Sequence, residues 1–370
     1  MGARDFSSVK RVVVKVGTNL ISRSGEIITE RLEAIVADLV RLKKSGYSVL
    51  LVTSGAVGLG AGEISLAGRV KGVVMRQTCA AIGQPILMEY YRAAFARHSQ
   101  VCAQILVTTN ELNDRTTYVN LMNSVNSLLD HGVIPVFNEN DTVSTDEVGT
   151  AVGDNDRLSA FIANKVDAQL LILLTDIEGL YTEDPKHNPH AEFLSEVPEI
   201  TPSVLASAGS AGSVHSTGGM KTKLIASRIA SYGGCSTIIA SGYEKDILVR
   251  IVRGEDVGTH FHPLKRMSQR TRWILHSDTS AAIWIDDGAV RALRNHKSLL
   301  PSGIVRIEGV FRAGEVVMIN NIAKAVPYYN STEIVVSIGK HSSAMRAELN
   351  HRRPDVIFRP EDIVFLDHAE

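Results

Sequence analysis

Between residues 11 and 262, short β-branched runs alternate with longer stretches of helical period, and this alternation restricts the fold more than any other feature of the chain. The strand-like runs are Arg11–Val16, Ser48–Thr53, Gln100–Thr108, Val133–Asn138, Gln169–Thr175 and Ser236–Ser241. Between them, apolar residues fall at helical spacing in Thr29–Lys44, Arg76–Arg97, Asp114–Asp130, Asp154–Lys165 and Gly219–Tyr232. Strand, helix and strand in repetition predict an α/β fold with a mainly parallel sheet sandwiched by helices. The runs are apolar on both faces, which argues against an antiparallel sheet with one wet side. Thr29 reads as the residue that caps the first helix, and Gly46 as the glycine that ends it.

The texture changes near residue 263. Pro263 and the basic stretch 265–270 read as a linker over 263–271, dividing a domain at 1–262 from a second at 272–370. At 370 residues two domains are expected, because a single core stops growing before that length. The second domain shows short strand-like runs at Arg272–His276, Ala281–Ile285, Ile304–Glu308, Glu315–Asn320, Lys324–Tyr328, Glu333–Ser337, Asp355–Phe358 and Ile363–Leu366. With short helices at Ala289–Asn295 and Ser342–Leu349, this pattern predicts a small, mostly-β barrel.

Chemistry collects just after the strands of the first domain. In open α/β sheets ligands bind at the carboxyl ends of the strands, so clusters placed there are expected to share one site. Lys15 ends the first strand beside Gly17 and Thr18, a point charge next to a turn whose backbone can approach phosphate. Thr53-Ser-Gly-Ala forms a second small-residue turn, and Leu174-Thr-Asp176 ends a third strand. The segment 138–160 concentrates carboxylates and amides, a composition that can seize an ammonium, bind Mg²⁺ or orient lysines. Thr217-Gly-Gly-Met-Lys-Thr-Lys223 opens a helix and can bind an anion, although it is neither a Walker A sequence nor a dinucleotide fingerprint. Lys221 and Lys223 stand two residues apart and cannot share a helix face, so one of them is expected to face the ligand.

Composition narrows the function further. A net charge of −1 gives no electrostatic footprint for nucleic acid or a membrane surface. The three cysteines form no metal-ligand spacing and are expected as buried thiols in a reducing compartment, which places the protein in the cytoplasm. No apolar stretch approaches the ~20 residues needed to span a bilayer.

The ordered set V-K-V-G-T, V-T-S-G-A, F-N-E-N-D, V-G-D-N-D-x-L-S-A, L-L-T-D-x-x-G-L-Y and T-G-G-M-x-T-K resembles the amino acid kinase family over residues 10–262. Residues 272–366 are similar to a PUA domain, with Ser298-Leu-Leu-Pro-Ser-Gly-Ile304 and Phe311-Arg-Ala-Gly-Glu-Val316 carrying that likeness. The resemblance implies a kinase, a transferase that uses ATP and Mg²⁺ to phosphorylate the side-chain carboxylate of L-glutamate, giving γ-glutamyl phosphate for proline biosynthesis. By the same resemblance Lys15, Lys223 and Asp156 are the catalytic group, with Asp156 holding the lysines. Ser54, Asp141 and Asn155 bind glutamate. Lys15, Thr175, Asp176, Thr217, Gly218, Gly219, Met220, Lys221, Thr222 and Lys223 bind ATP. No protein metal ligand is implied, since Mg²⁺ is expected between the nucleotide phosphates. Proline is implied as a feedback inhibitor, and a homo-oligomer, dimer or tetramer, as the assembly. Kinases acting on N-acetylglutamate, aspartate, carbamate or UMP share the lysine logic, but their substrate loop is not expected to read N-E-N-D followed by G-D-N-D. An RNA-binding role for the second domain is not expected, because residues 272–370 balance twelve Lys/Arg against twelve Asp/Glu.

Overall fold

In a computed structural model the protein is described over residues 4–66, 68, 70–108, 111–112, 115–143, 155–183, 185, 188, 190–205, 219–264, 266–277, 279, 281–339 and 354–366. The chain forms two compact units, Met1–Arg266 and Met267–Glu370.

The first unit is built on an eight-stranded sheet. Its strands are β1 (Arg11–Val16), β4 (Ser48–Val52), β5 (Cys102–Val107), β6 (Ile134–Glu139), β7 (Leu170–Thr175), β10 (Glu196–Val197), β11 (Ser236–Ser241) and β12 (Thr259–Phe261). Two small hairpins supply the remaining strands, β2 (Ser22–Arg23) with β3 (Glu26–Ile27) and β8 (Leu180–Tyr181) with β9 (Phe193–Leu194). The order across the large sheet is β10-β12-β11-β7-β1-β4-β6-β5. The six strands from β11 to β5 are parallel, and β12 runs antiparallel to β11. β1 is therefore central, and Val12, Val13, Val14 and Val16 are fully buried because helices cover both faces. On one face lie Thr29–Lys44, Ala56–Glu63 and Val73–Ala96, and on the other Arg115–Asp130, Asn155–Lys165 and Met220–Tyr232.

One detail of the first unit differs from the sequence reading. Ile28, not Thr29, occupies the capping position of Thr29–Lys44, and no side chain caps that end. Gly46 does close the helix, with φ +96° in the left-handed region that favours glycine. Gly60 of Ala56–Glu63 and Gly83 of Val73–Ala96 serve helix packing. A Cβ on Gly60 would lie 1.9 Å from the Cys79 carbonyl oxygen, and one on Gly83 would lie 1.8 Å from that of Ala56, so the two helices cross backbone against backbone.

The second unit holds a five-stranded sheet in the order β14-β13-β15-β16-β17. These strands are β13 (Ala282–Ile285), β14 (Ile304–Glu308), β15 (Val317–Ile319), β16 (Ala323–Ala325) and β17 (Ile363–Phe365). All pairs are antiparallel except β13 with β15. Three runs read as strands are not. Arg272–His276 lies in the helix Gln269–His276, which takes in residues 269–271 of the expected linker and is capped by the Ser268 hydroxyl accepting from the Thr271 amide. Glu333–Ser337 belongs to the helix Ser331–Ser337, opened by a reciprocal cap between Asn330 and Glu333. That cap and the burial of Ile334 and Ser337 on one face outweigh the β preference of Val335 and Val336, which are exposed. Asp355–Phe358 is irregular and meets Leu299 through a single bridge at Phe358. The helix expected at Ala289–Asn295 is present as Asp287–Arg294, whereas that expected at 342–349 lies outside the described residues.

Candidate active site

Lys15 occupies the penultimate position of the central strand and is nearly buried. Its Nζ lies 2.7 Å from Oδ1 of Asp156, and Nζ of Lys223 lies 3.1 Å from Oδ2 of the same carboxylate. The Thr222 hydroxyl donates to that Oδ2 at 2.9 Å. Asp156 stands in the first turn of Asn155–Lys165, where the helix N-terminus favours an acid, and is 1% exposed. Burial pushes its carboxyl up, but the Lys15 and Lys223 ammoniums override that cost and hold the pKa down at about 2. The trio is thus one negative charge between two positive ones, a buried excess of positive charge. Lys221, two residues before Lys223, is exposed, so of the two lysines in that segment it is Lys223 that turns inward.

A second group adjoins the trio through Asn155. Its side-chain amide donates to the Thr53 carbonyl at 2.7 Å and to Oδ1 of Asn138 at 3.0 Å. The Asn138 amide donates to Gln84 at 2.7 Å, and Gln84 donates to Gln104 at 3.1 Å. Oδ1 of Asn155 is buried and accepts no hydrogen bond among the described residues, leaving an acceptor ready for an N–H donor. Ser54 donates to the Val16 carbonyl and accepts from the Thr18 hydroxyl, both at 3.0 Å, which ties the turn after β4 to the turn after β1. Gly55 has φ +107° at the start of Ala56–Glu63, so the turn after Ser54 needs glycine.

Asp141 is nearly buried and pairs with Arg76, whose Nε and Nη2 both reach Oδ1, at 3.2 and 3.0 Å. Sequence reasoning missed Arg76, Gln84 and Gln104 because they lie inside periodic segments that read as scaffold. A glutamine beside Gly83 and Pro85 on an otherwise buried helix stripe was the available signal.

At the end of β7, Thr175 is buried and donates to Oδ1 of Asp176 at 3.1 Å, while Asn19 donates to Oδ2 at 3.3 Å. Burial works against the Asp176 charge, yet the hydrogen bonds from Asn19 and Thr175 leave its carboxyl below the ordinary range. Gly219 caps Met220–Tyr232, and Thr217 and Gly218 lie outside the described residues, as do 144–154 of the polar loop. Beside Lys15, a Cβ on Gly17 would sit 3.4 Å from the Leu174 carbonyl oxygen and 3.7 Å from Nζ, so glycine keeps the space next to the ammonium open. This suits an anionic phosphate. For a divalent cation, Asp156 has both oxygens committed to lysines and Asp176 has both in hydrogen bonds, so among the described residues here a magnesium ion fits as one carried by phosphates rather than by protein carboxylates.

Comparison with known proteins extends across both units. The amino acid kinase family matches residues 10–241 and the PUA domain residues 281–349. A glutamate 5-kinase of Methanosarcina mazei is 37% identical over 375 residues, which cover 98% of this chain and 97% of that protein. A glutamate 5-kinase of Carboxydothermus hydrogenoformans is 39% identical over 371 residues, covering 98% and 99% of the two chains. Among solved structures, a carbamate kinase from Giardia lamblia bound to AMP-PNP is 18% identical, with a TM-score of 0.49 over 70% of this chain and 99% of that one.

Proposed function

The chain belongs to the amino acid kinase family, and from that membership we infer an ATP-dependent kinase that phosphorylates the side-chain carboxylate of L-glutamate, the first step of proline biosynthesis. ATP is the donor and Mg²⁺ accompanies it. A glutamate carboxyl, with an ordinary pKa of about 4.3, is ionised at neutral pH. One of its oxygens attacks the γ-phosphorus, a new O–P bond forms, and the bond to the bridging oxygen breaks with its electron pair leaving on ADP. No proton moves, so no general base is needed. The demands are charge cancellation between two anions and in-line alignment.

The observation that carries this reading is the Asp156 carboxylate held between two buried ammoniums. We assign Lys15 and Lys223 to the phosphoryl group in transit and Asp156 to aiming both. Glutamate is assigned to Ser54, Asn155 and Asp141, the last two offering a bare amide oxygen and a carboxylate to its ammonium. Arg76 engages only one oxygen of Asp141, which leaves the carboxylate able to receive a second cation. Thr175, Asp176 and the segment 217–223 are assigned to ATP. Proline as a feedback inhibitor overlapping the glutamate pocket, a homo-oligomer and a cytoplasmic setting complete the proposal, with no RNA partner. No helix among the described residues is long and apolar enough to cross a membrane.

The test is ADP release with L-glutamate, N-acetyl-L-glutamate, L-aspartate, carbamate and UMP as acceptors, with hydroxylamine trapping the acyl phosphate. Release with L-glutamate alone is expected. Turnover of another acceptor with L-glutamate inert would overturn the assignment.

A further inference from the structure

At the edge of the large sheet, away from the central strand, ligand-type side chains converge a second time. His260 and His262 stand two residues apart at the end of β12, so both project from one face. β10 pairs with β12 in parallel and sets Glu196 opposite His260. Oε2 of Glu196 lies 3.0 Å from Nδ1 of His260 and 2.5 Å from Nε2 of His262. The two imidazole centroids are 4.3 Å apart. One donor atom from each side chain lies within 4.8 Å of the other two.

The surroundings hold this arrangement in place. Arg4 donates through Nε to the other carboxylate oxygen of Glu196 at 2.8 Å, which fixes the plane of the carboxylate. The same guanidinium binds Asp256 and the carbonyls of Ser195, Val257 and Gly258. His260 is 7% exposed, with the Phe6 ring edge-on at 5.4 Å, so its ring orientation is set by packing. His262 is open to solvent and gives an ion a way in.

We propose that Glu196, His260 and His262 form a binding site for one divalent transition-metal ion, Zn²⁺ by its donor chemistry. Two imidazole nitrogens and one carboxylate oxygen are a zinc donor set that leaves a fourth position for water. Mg²⁺ requires an octahedral shell of oxygens and is excluded by the two imidazoles. Each ring coordinates in its neutral form with its proton on the other nitrogen, and Arg4 orients the carboxylate as outer-shell groups do in metal centres. The ion ties β10 to β12 and, through Arg4, to the start of the chain. Its effect falls on stability rather than on phosphoryl transfer, because the ligands lie on β10 and on or just after β12, at one edge of the sheet, and none is in the Lys15 group.

The test uses the full chain, stripped with a chelator and titrated with Zn²⁺ by calorimetry in millimolar Mg²⁺, and with Co²⁺ followed by its visible ligand-field absorption. One equivalent of Zn²⁺ is expected, with a rise in Tm of a few degrees and unchanged turnover with Mg·ATP. His262→Gln and Glu196→Gln are each expected to weaken binding at least tenfold. Glu196→Gln also disturbs Arg4, whereas the exposed His262 can be replaced without touching it, so loss of Zn²⁺ by His262→Gln alone supports the site. Absence of stoichiometric binding, or binding undiminished in His262→Gln, overturns the proposal.

Discussion

A single carboxylate decides how the central lysines behave. Asp156 aims two buried lysine side chains, and in the role proposed for them their charge is worth most as negative charge builds on the transferring phosphoryl group. Replacing Lys15 or Lys223 by Ala is therefore expected to lower kcat by ~10²–10³-fold with a smaller change in the glutamate KM, as steady-state kinetics would read. Lys221→Ala, at an exposed position, is expected to leave kcat within a few-fold of normal. Asp156 also carries a pH signature. Its carboxyl titrates at about 2 in the folded protein against an ordinary 3.8, so the stability it contributes is complete above about pH 4 and is lost as pH falls towards 2. The urea midpoints of wild type and Asp156→Asn should differ by a constant gap from pH 5 to 7, and the gap should shrink below pH 4. A gap that widens on acidification would mean the carboxyl is not held ionised by its lysines.

The elements explain which parts of the sequence could be read. The large sheet was legible because strands buried on both faces read as continuous apolar runs, as in β1 and β7, set between stretches of 3.6 period. Lys15 stood out at a strand end beside Gly17, whereas Asp156 and the choice of Lys223 over Lys221 came from the family resemblance; the structure brings the three side chains together. The second unit was harder. Its helices Gln269–His276 and Ser331–Ser337 are each about two turns long, and their identity rests on caps at Ser268 and Asn330 rather than on periodicity. Gly60 carried no signal in the sequence reading, and it permits the close crossing of Ala56–Glu63 with Val73–Ala96. Gly60→Ala should destabilise the protein by roughly 1–3 kcal/mol, because the new methyl meets a backbone carbonyl that cannot turn aside. The urea midpoint reads this, and the glutamate KM should rise with it, since the second helix carries Arg76 and Gln84. An unchanged midpoint would show that the helices part without cost.

Taken whole, the chain is two units, and every residue assigned to chemistry lies in the first. A chain ending at Arg266 is expected to keep kinase activity and some inhibition by proline, measured as ADP release against proline concentration. Turnover that survives while proline inhibition vanishes would move the inhibitor site to the second unit. The first unit also has an order of assembly written into its contacts. Arg4 holds acceptors at Asp256, Val257 and Gly258 that follow it 252 to 254 residues later. At ~5–20 residues per second a ribosome needs about 13 to 50 s to supply them. Until they are made Arg4 can meet Ser195 and Glu196 but not the segment 256–258, and β12, near the outer edge of the sheet, is its last strand in sequence. A residue ahead of β1 is thus the seal on the last strand of the sheet, and the kinase unit is closed only once residue 261 is in place.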